Sequence, residues 1–341
     1  MKILVSGATG FLGPHLFRRL VDDGHDVTAF HRATSDTSVL AGIPVRRRIG
    51  DITDPAALAQ AIRGQEAVVH AAAAPSSGAA GLLYQVNIEG TRNVVEACRR
   101  QRVARLLHVS STAAVGIPED PARPADEQFC FNLEDSPLPY HISKHRAEEV
   151  VMRGVAEGQD AVIVNPCGIF GPLGSRYRGG EALERVRRKR IVHYYCGGVC
   201  VVHVADVVDG IVAALERGGS GERYILGGEN LSFREMAEKT AAVAGLRRVF
   251  VPAPPIVTGL AALLGEAWGR LQRRRPWVSH ADHYYANRFH FYDSAKARRT
   301  LGFCPRGFDA ILQDWVRSLA RFDESPRNRT GGPVGGDSQS M

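Results

Sequence analysis

Residues 2–13 read Lys2-Ile3-Leu4-Val5-Ser6-Gly7-Ala8-Thr9-Gly10-Phe11-Leu12-Gly13. A short β-branched run passes into three spaced glycines and then into an apolar stripe at helical spacing, made by Leu12, Leu16 and Leu20 with Phe17 and Val21. The order strand, glycine turn, helix gives each glycine a task. Gly7 permits a tight turn, Gly10 lets a ligand approach the backbone, and Gly13 lets the helix pack closely on the strand. Pro14 falls in the first helical turn, where its missing N–H costs little. The start of such a helix offers free N–H groups and a positive dipole end to a phosphate.

Outward from this turn the pattern repeats. Strands are expected over 26–30, 45–49, 67–71, 106–110 and 161–165, with helices over 11–23, 55–63, 86–101 and 140–157. Strands alternating with helices imply parallel crossovers, so the fold class is α/β with a doubly wound parallel sheet. After Gly171 the pattern turns irregular. A basic helix is expected near 181–190, an apolar run at 199–204, and helices near 207–217, 233–244 and 256–271. The reading divides the chain into a dinucleotide-binding domain over 1–170, rejoined by 199–228, and a smaller substrate domain from 171–198 and 229–324. The tail 325–341, rich in Gly, Ser, Pro and Asn, is expected to be disordered.

With 341 residues, 44% of them hydrophobic, the chain can bury a large core. Its longest apolar candidate, 255–264, is too short to span a bilayer, and no secretion signal opens the sequence. Six cysteines without a CxxC pair fit reduced thiols in a soluble cytoplasmic protein, and no metal site is expected. The net charge of +7 comes from 43 Lys and Arg against 36 Asp and Glu. Arginine runs at 46–48, 187–190 and 273–275 read as solvated surface, because no nucleic-acid motif accompanies them. Neither a nucleic-acid nor a membrane partner is expected.

The second strand ends at Phe30-His31-Arg32, where an NAD enzyme commonly places a carboxylate for the ribose hydroxyl. Arg32 suits a 2′-phosphate instead, so NADP is the expected cofactor, with NAD the alternative should Arg32 be merely exposed. Asp51 follows the third strand and suits an adenine amino group, or else caps the next helix, a task open to Thr53 or Asp54 as well. Tyr140 and Lys144, four apart, share one helix face. A free phenol ionises near pH ~10, and a neighbouring ammonium lowers that, so Tyr140 becomes a usable acid or base. Ser110-Ser111-Thr112 ends a strand; Ser111 is the first choice for the hydroxyl that holds a substrate oxygen, and Thr112 the second.

Together these pieces resemble the extended short-chain dehydrogenase/reductases, the NAD-dependent epimerase/dehydratase family. The likeness adds Val69-His70-Ala71-Ala72-Ala73, Val86-Asn87-Ile88-Glu89-Gly90-Thr91, Asn165-Pro166-Cys167-Gly168-Ile169 and Val202-His203-Val204-Ala205-Asp206-Val207, and it runs to about Phe322. It implies a Rossmann domain and a catalytic Tyr140, Lys144 and Ser111. It implies cofactor contacts from Gly7, Thr9, Gly10, Phe11, Leu12, Gly13, His31, Arg32, Asp51, Ile52, Ala71, Ala72, Ala73, Asn87, Ser110, Tyr140, Lys144, Pro166, Gly168 and Ile169. It also implies a homodimer through the helices near 91–100 and 140–157.

Within the family, three absences stand out. Ala113-Ala114 replace the Asp-Glu pair of sugar-nucleotide dehydratases, and Val199-Cys200 and His283 stand where sugar-nucleotide epimerases hold a diphosphate with arginines. The remainder resembles the branch of dihydroflavonol reductases, 3β-hydroxysteroid dehydrogenases and hopanoid-associated epimerases. That likeness implies hydride transfer between nicotinamide and a carbonyl or secondary alcohol of a non-nucleotide, apolar or ring-shaped small molecule. Walls of its pocket are expected from 170–178, 192–200 and 276–291, with the pairs Tyr194-Tyr195 and Tyr284-Tyr285 as aromatic candidates. The alternative is an epimerase of a sugar or related polyol that retains NAD.

Overall fold

A computed structural model of the chain describes residues 1–173, 176–272, 274 and 276–323. The expected tail at 325–341 lies outside these residues, as do positions 174 and 175 of one expected pocket wall. Two compact units emerge. One comprises Met1–Ile169, Val199–Asn230 and Phe289–Gly307; the other comprises Phe170–Gly198, Leu231–Arg288 and the chain from Phe308.

The first unit is built on a seven-stranded sheet. Its strands are β1 (Lys2–Ser6), β2 (Asp26–His31), β3 (Arg46–Ile49), β4 (Ala67–His70), β5 (Arg105–Val109), β6 (Ala161–Pro166) and a last strand, Arg223–Leu226. From one edge the order is Arg223–Leu226, β6, β5, β4, β1, β2, β3, and the pairings are parallel. The order reverses between β1 and β4, so a crevice opens at their carboxyl ends.

Helices cover both faces. On one, Leu16, Phe17 and Leu20 of α1 (Gly13–Asp22) share a core with Val207 and Ile211 of the Val204–Arg217 helix. On the other, α2 (Pro55–Ile62) contributes Leu58 and Ile62, α4 (Gly90–Arg100) Val94 and Cys98, and α5 (Pro139–Ala156) Val150 and Val151. Burial on both faces is what makes β1, β4, β5 and β6 read as continuous apolar runs. Edge strand β3 is exposed throughout, and its Arg46 pairs with Asp26 at 2.7 Å. Arg187 and Arg188 of the second unit pair with Glu184.

Two sequence expectations are corrected. The helix expected over 86–101 begins at Ala80: α3 (Ala80–Leu83) runs through a π-helical turn, Tyr84–Glu89, into α4. The segment Phe289–Gly307, assigned by sequence to the second domain, packs with the first unit. The reason is its bonding: Tyr292 Oη donates to the Gly116 carbonyl at 2.8 Å, Ala125 N donates to the Phe291 carbonyl and accepts at its own carbonyl from Asp293 N, and Leu301 and Phe303 join the core.

In the second unit, a parallel pair, Ile191–Tyr195 with Val249–Ala253, lies beside the Phe233–Val243 helix. That helix starts with a capping box between Ser232 and Glu235. A long helix, Pro255–Gln272, packs on the His280–Ala286 helix.

Candidate active site

Gly7 has φ of 77°, and a Cβ there would stand 2.6 Å from the Ala71 backbone. The turn therefore leans on the loop after β4. A Cβ at Gly13 would lie 2.1 Å from the Ala8 carbonyl, so only glycine lets α1 start this close to β1. Gly10 differs: its added Cβ would meet only the Gly7 carbonyl, at 3.3 Å, and the residue is exposed. Packing does not require glycine at that position, and the space in front of it suits a ligand backbone-close. The start of α1 carries no side-chain cap and no acidic residue in its first turn. Its N–H groups and dipole face an anion without competition. Thr9, Phe11 and Leu12 flank this turn half-buried. This cradle fits a dinucleotide pyrophosphate.

At the end of β2, His31 is buried and its Nδ1 is bonded to the Arg32 carbonyl at 2.9 Å, while Arg32 itself is exposed. Asp51 accepts from the Thr53 N–H and hydroxyl at 2.9 and 2.8 Å. Asp54, not Asp51, caps α2, accepting from Ala56 and Ala57. Ile52 is buried against Gly90. Along β4, Ala71 and Ala72 are half-buried and Ala73 exposed. Pro166 is buried, with Gly168 and Ile169 half-buried after it.

The reacting end lies where β5 meets α5. Pro139 fills the first helical position, so the helix begins immediately before Tyr140. Tyr140 is half-buried; Lys144, one turn on, is only 2% exposed. Lys144 Nζ donates to the Val109 carbonyl at 3.1 Å, latching the helix to the end of β5. Burial pulls the Lys144 ammonium down to about 8, against a partial lift from Glu148. Ser110 is buried, and its hydroxyl has no hydrogen-bond partner among the described residues. A buried hydroxyl left this way is costly unless a ligand meets it. Ser111 is half-buried and its Oγ accepts from Ala113 N at 3.2 Å, which leaves its O–H free to donate. Thr112 is buried, and its hydroxyl reaches the Pro166 carbonyl at 3.5 Å.

Polar side chains hold this end in place: Asn87, expected at the site, and Ser6, His70, Thr91 and Ser143, to which the motifs gave no role. His70 Nδ1 lies 2.7 Å from Ser6 Oγ, and its Nε2 lies 3.1 Å from Thr91 Oγ1. The Thr91 hydroxyl donates to the Asn87 carbonyl at 2.6 Å, so it must accept from His70 Nε2–H. His70 Nδ1 is then the acceptor for the Ser6 hydroxyl. Asn87, on the π turn, accepts from Ala74 N and donates to Ser143 Oγ, both at 2.9 Å. Ser143 donates to the Tyr140 carbonyl at 2.8 Å. One chain of hydrogen bonds thus runs from β1 through β4 and the π turn to the first turn of α5.

A second chain holds the serine strand end. Asn165 donates to the Ser111 carbonyl at 2.9 Å and to buried Glu148, which Arg223 meets at 3.1 Å. Burial, then the Lys144 charge, lowers His70 to about 3 and takes His108 well below the ordinary imidazole range. Both are neutral at physiological pH. In the second unit, His283, which stands where an arginine clamp was sought, is bonded to Thr258 at 2.9 Å and to Asn287. Tyr284 stacks under Arg288, 3.4 Å from its ring centre.

The chain matches the NAD dependent epimerase/dehydratase family over residues 3–227. It is 32% identical over 321 residues to sterol demethylase protein B of Methylococcus capsulatus, covering 93% of this chain and 97% of that one. It is 30% identical over 334 residues to 2-alkyl-3-oxoalkanoate reductase of Stenotrophomonas maltophilia, covering 94% and 98%. The crystal structure of a nucleoside-diphosphate-sugar epimerase from Pseudomonas aeruginosa superposes with a TM-score of 0.74 at 27% identity, covering 94% and 98%. With its glycine cradle and its Tyr140–Lys144 helix, the chain belongs to the NAD-dependent epimerase/dehydratase family, the extended short-chain dehydrogenase/reductases. It is an NAD(P)-dependent oxidoreductase.

Proposed function

We propose that this enzyme oxidises or reduces a carbonyl/secondary alcohol pair on an apolar, non-nucleotide molecule, with Tyr140 as acid and base. The observation that carries the reading is Lys144, buried yet charged near neutrality and latched to the end of β5 one turn from Tyr140. The nicotinamide, when bound, supplies or accepts the hydride. Tyr140 gives a proton to the substrate oxygen in reduction and takes it back in oxidation. The Lys144 charge favours the phenolate and so brings proton exchange toward neutral pH. Ser111, whose O–H is free, holds the substrate oxygen, with Thr112 as the alternative. Gly7, Gly10 and Gly13, with the start of α1, hold the pyrophosphate, and Ser110 offers its buried hydroxyl to the same ligand.

Support for the substrate class comes from the names of two relatives, a sterol demethylation protein and an oxoalkanoate reductase. Ala113-Ala114 carry no acid–base pair for eliminating water. Arg32, standing where NAD enzymes commonly place a carboxylate, supports NADP, while its exposure keeps NAD as the alternative. A homodimer through α4 and α5 is the proposed assembly.

The test is Tyr140→Phe assayed with NADPH and NADH against sterol-like and acyl ketones. The expected result is turnover lowered by about 10³-fold with the fold and cofactor binding retained. Isomerised product without net cofactor consumption in the wild type would instead establish an epimerase. The companion pair Ser111→Ala and Thr112→Val assigns the hydroxyl: the one that lowers turnover more holds the oxygen.

A further inference from the structure

The Pro255–Gln272 helix is turned inside out. Its buried residues are small: Thr258, Ala262, Gly265 and Gly269, spaced to form one stripe. That stripe packs within its own unit, where Thr258 bonds His283 and the Trp277 indole lies against Gly265. The large side chains face the other way. Ile256 is 85% exposed, Leu271 76% and Trp268 62%, and Val257, Leu260, Leu263 and Leu264 are each more than half exposed. A water-facing helix ordinarily reverses this arrangement, and contiguous apolar surface of this kind marks an interaction site.

The charges around the face say what covers it. Glu266, the helix's only acid, is used internally, accepting from His280 N at 2.8 Å and pairing with Arg270 at 3.4 Å. Arg270 and Arg274 are exposed at the end of the helix, within the sequence Arg270-Leu-Gln-Arg-Arg274-Arg-Pro-Trp277. Aliphatic side chains, the Trp268 indole and terminal arginines form the combination that suits acyl chains, interfacial headgroups and anionic phosphates respectively. Between Ile256 and Leu271 the exposed face offers scarcely any hydrogen-bonding group besides the Trp268 N–H and Arg270, as lipid requires and a specific protein partner does not. No helix among the described residues is long and apolar enough to cross a membrane.

We propose that the outward face of Pro255–Gln272, with the exposed Arg270 and Arg274 at its end, docks the enzyme in the plane of an anionic lipid surface. This revises the expectation of no membrane partner, which weighed only the length needed to span. It does not rest on the substrate proposed above.

The test is flotation of the full chain with vesicles of phosphatidylcholine alone and with roughly 30% phosphatidylglycerol. The expected result is flotation with the anionic vesicles, reduced by salt. Tryptophan emission should move to the blue, because Trp268 lies in the face and Trp315 is already buried. Leu260→Ser/Leu264→Ser/Trp268→Ser and, separately, Arg270→Glu/Arg274→Glu should each lower partitioning by about tenfold or more. Circular dichroism and turnover of a water-soluble ketone should stay unchanged in both. Absence of wild-type flotation, or equal flotation of the wild type and both variants, overturns the proposal. So does a wild-type oligomer that the triple variant dissociates without any vesicle binding, which would give the face to a second copy of the chain.

Discussion

Two helices of 18 residues, α5 and Pro255–Gln272, both open on proline and treat water in opposite ways. α5 holds five charged residues, yet it buries His141, Ser143, Lys144 and Glu148. The other holds two charged residues and exposes most of its leucines. Composition alone would assign the two the other way round. The difference lies in partners. Ser143 finds Asn87, Lys144 finds Val109, and Glu148 finds Asn165 and Arg223, so desolvation is offset group by group. For the apolar helix, the inward places are taken by residues too small to leave room for leucines.

The contrast can be broken most severely at Lys144. Lys144→Met should lower turnover by about 10²-fold or more. It should also erase a pH signature. The lysine's folded value of about 8 lies below its ordinary 10.5, so between these the unfolded chain binds more protons and wild-type stability rises with pH. That rise, about 3 kcal/mol by linkage, should be missing from urea titrations of the variant. A wild type whose stability is flat across this window would show that burial does not tax the charge.

His70→Phe should cost about 2 kcal/mol by stranding Ser6 and Thr91. If His70 positions α5, kcat should fall more than KM rises, and the loss should be largest at the step Tyr140 serves. A stability loss with unchanged kcat would confine the residue to packing.

Acid gives a third comparison. His70 and His141 are lowered to about 3 by burial, and His108 is lowered well below its ordinary range. Each must stay neutral in the fold. The share of stability tied to these histidines is therefore full above pH ~6.5 and falls below it, by about 1.4 kcal/mol per pH unit for each histidine. His70→Phe should make that fall shallower by one such share.

At the small end, Leu260→Ser should change stability by less than about 0.5 kcal/mol, since water already surrounds the side chain. A loss of 2 kcal/mol or more would mean that this leucine packs in the free protein.

Where neighbours in sequence are neighbours in space, the chain was readable. The β1–turn–α1 unit, the parallel sheet and the Tyr140–Lys144 spacing follow from periods of 2, 3.6 and 4. The chain from Ser6 to Ser143 was not visible in that way: Ser6 and His70 are 64 positions apart, and Asn87 and Ser143 are 56. The π turn under Asn87 follows neither helical period, and Ala79-Ala80-Gly81 gives no cap to announce the start. Asp51 reads first as a partner of an adenine amino group; the cap, open in sequence to Asp51, Thr53 and Asp54, is assigned to Asp54 only by geometry. The segment Phe289–Gly307 is grouped by sequence with its chain neighbours because the bonds of Phe291, Tyr292 and Asp293 to Ala125 and Gly116 span more than 160 residues.

Arg223, on the strand at the sheet's outer edge, answers the carboxylate of Glu148, which steadies Asn165 and through it the carbonyl of Ser111. During synthesis, Tyr140, Lys144 and Ser111 leave the ribosome long before that arginine. A nascent chain halted before position 223 would carry every reacting group and still lack the counter-ion that lets Glu148 sit in the core.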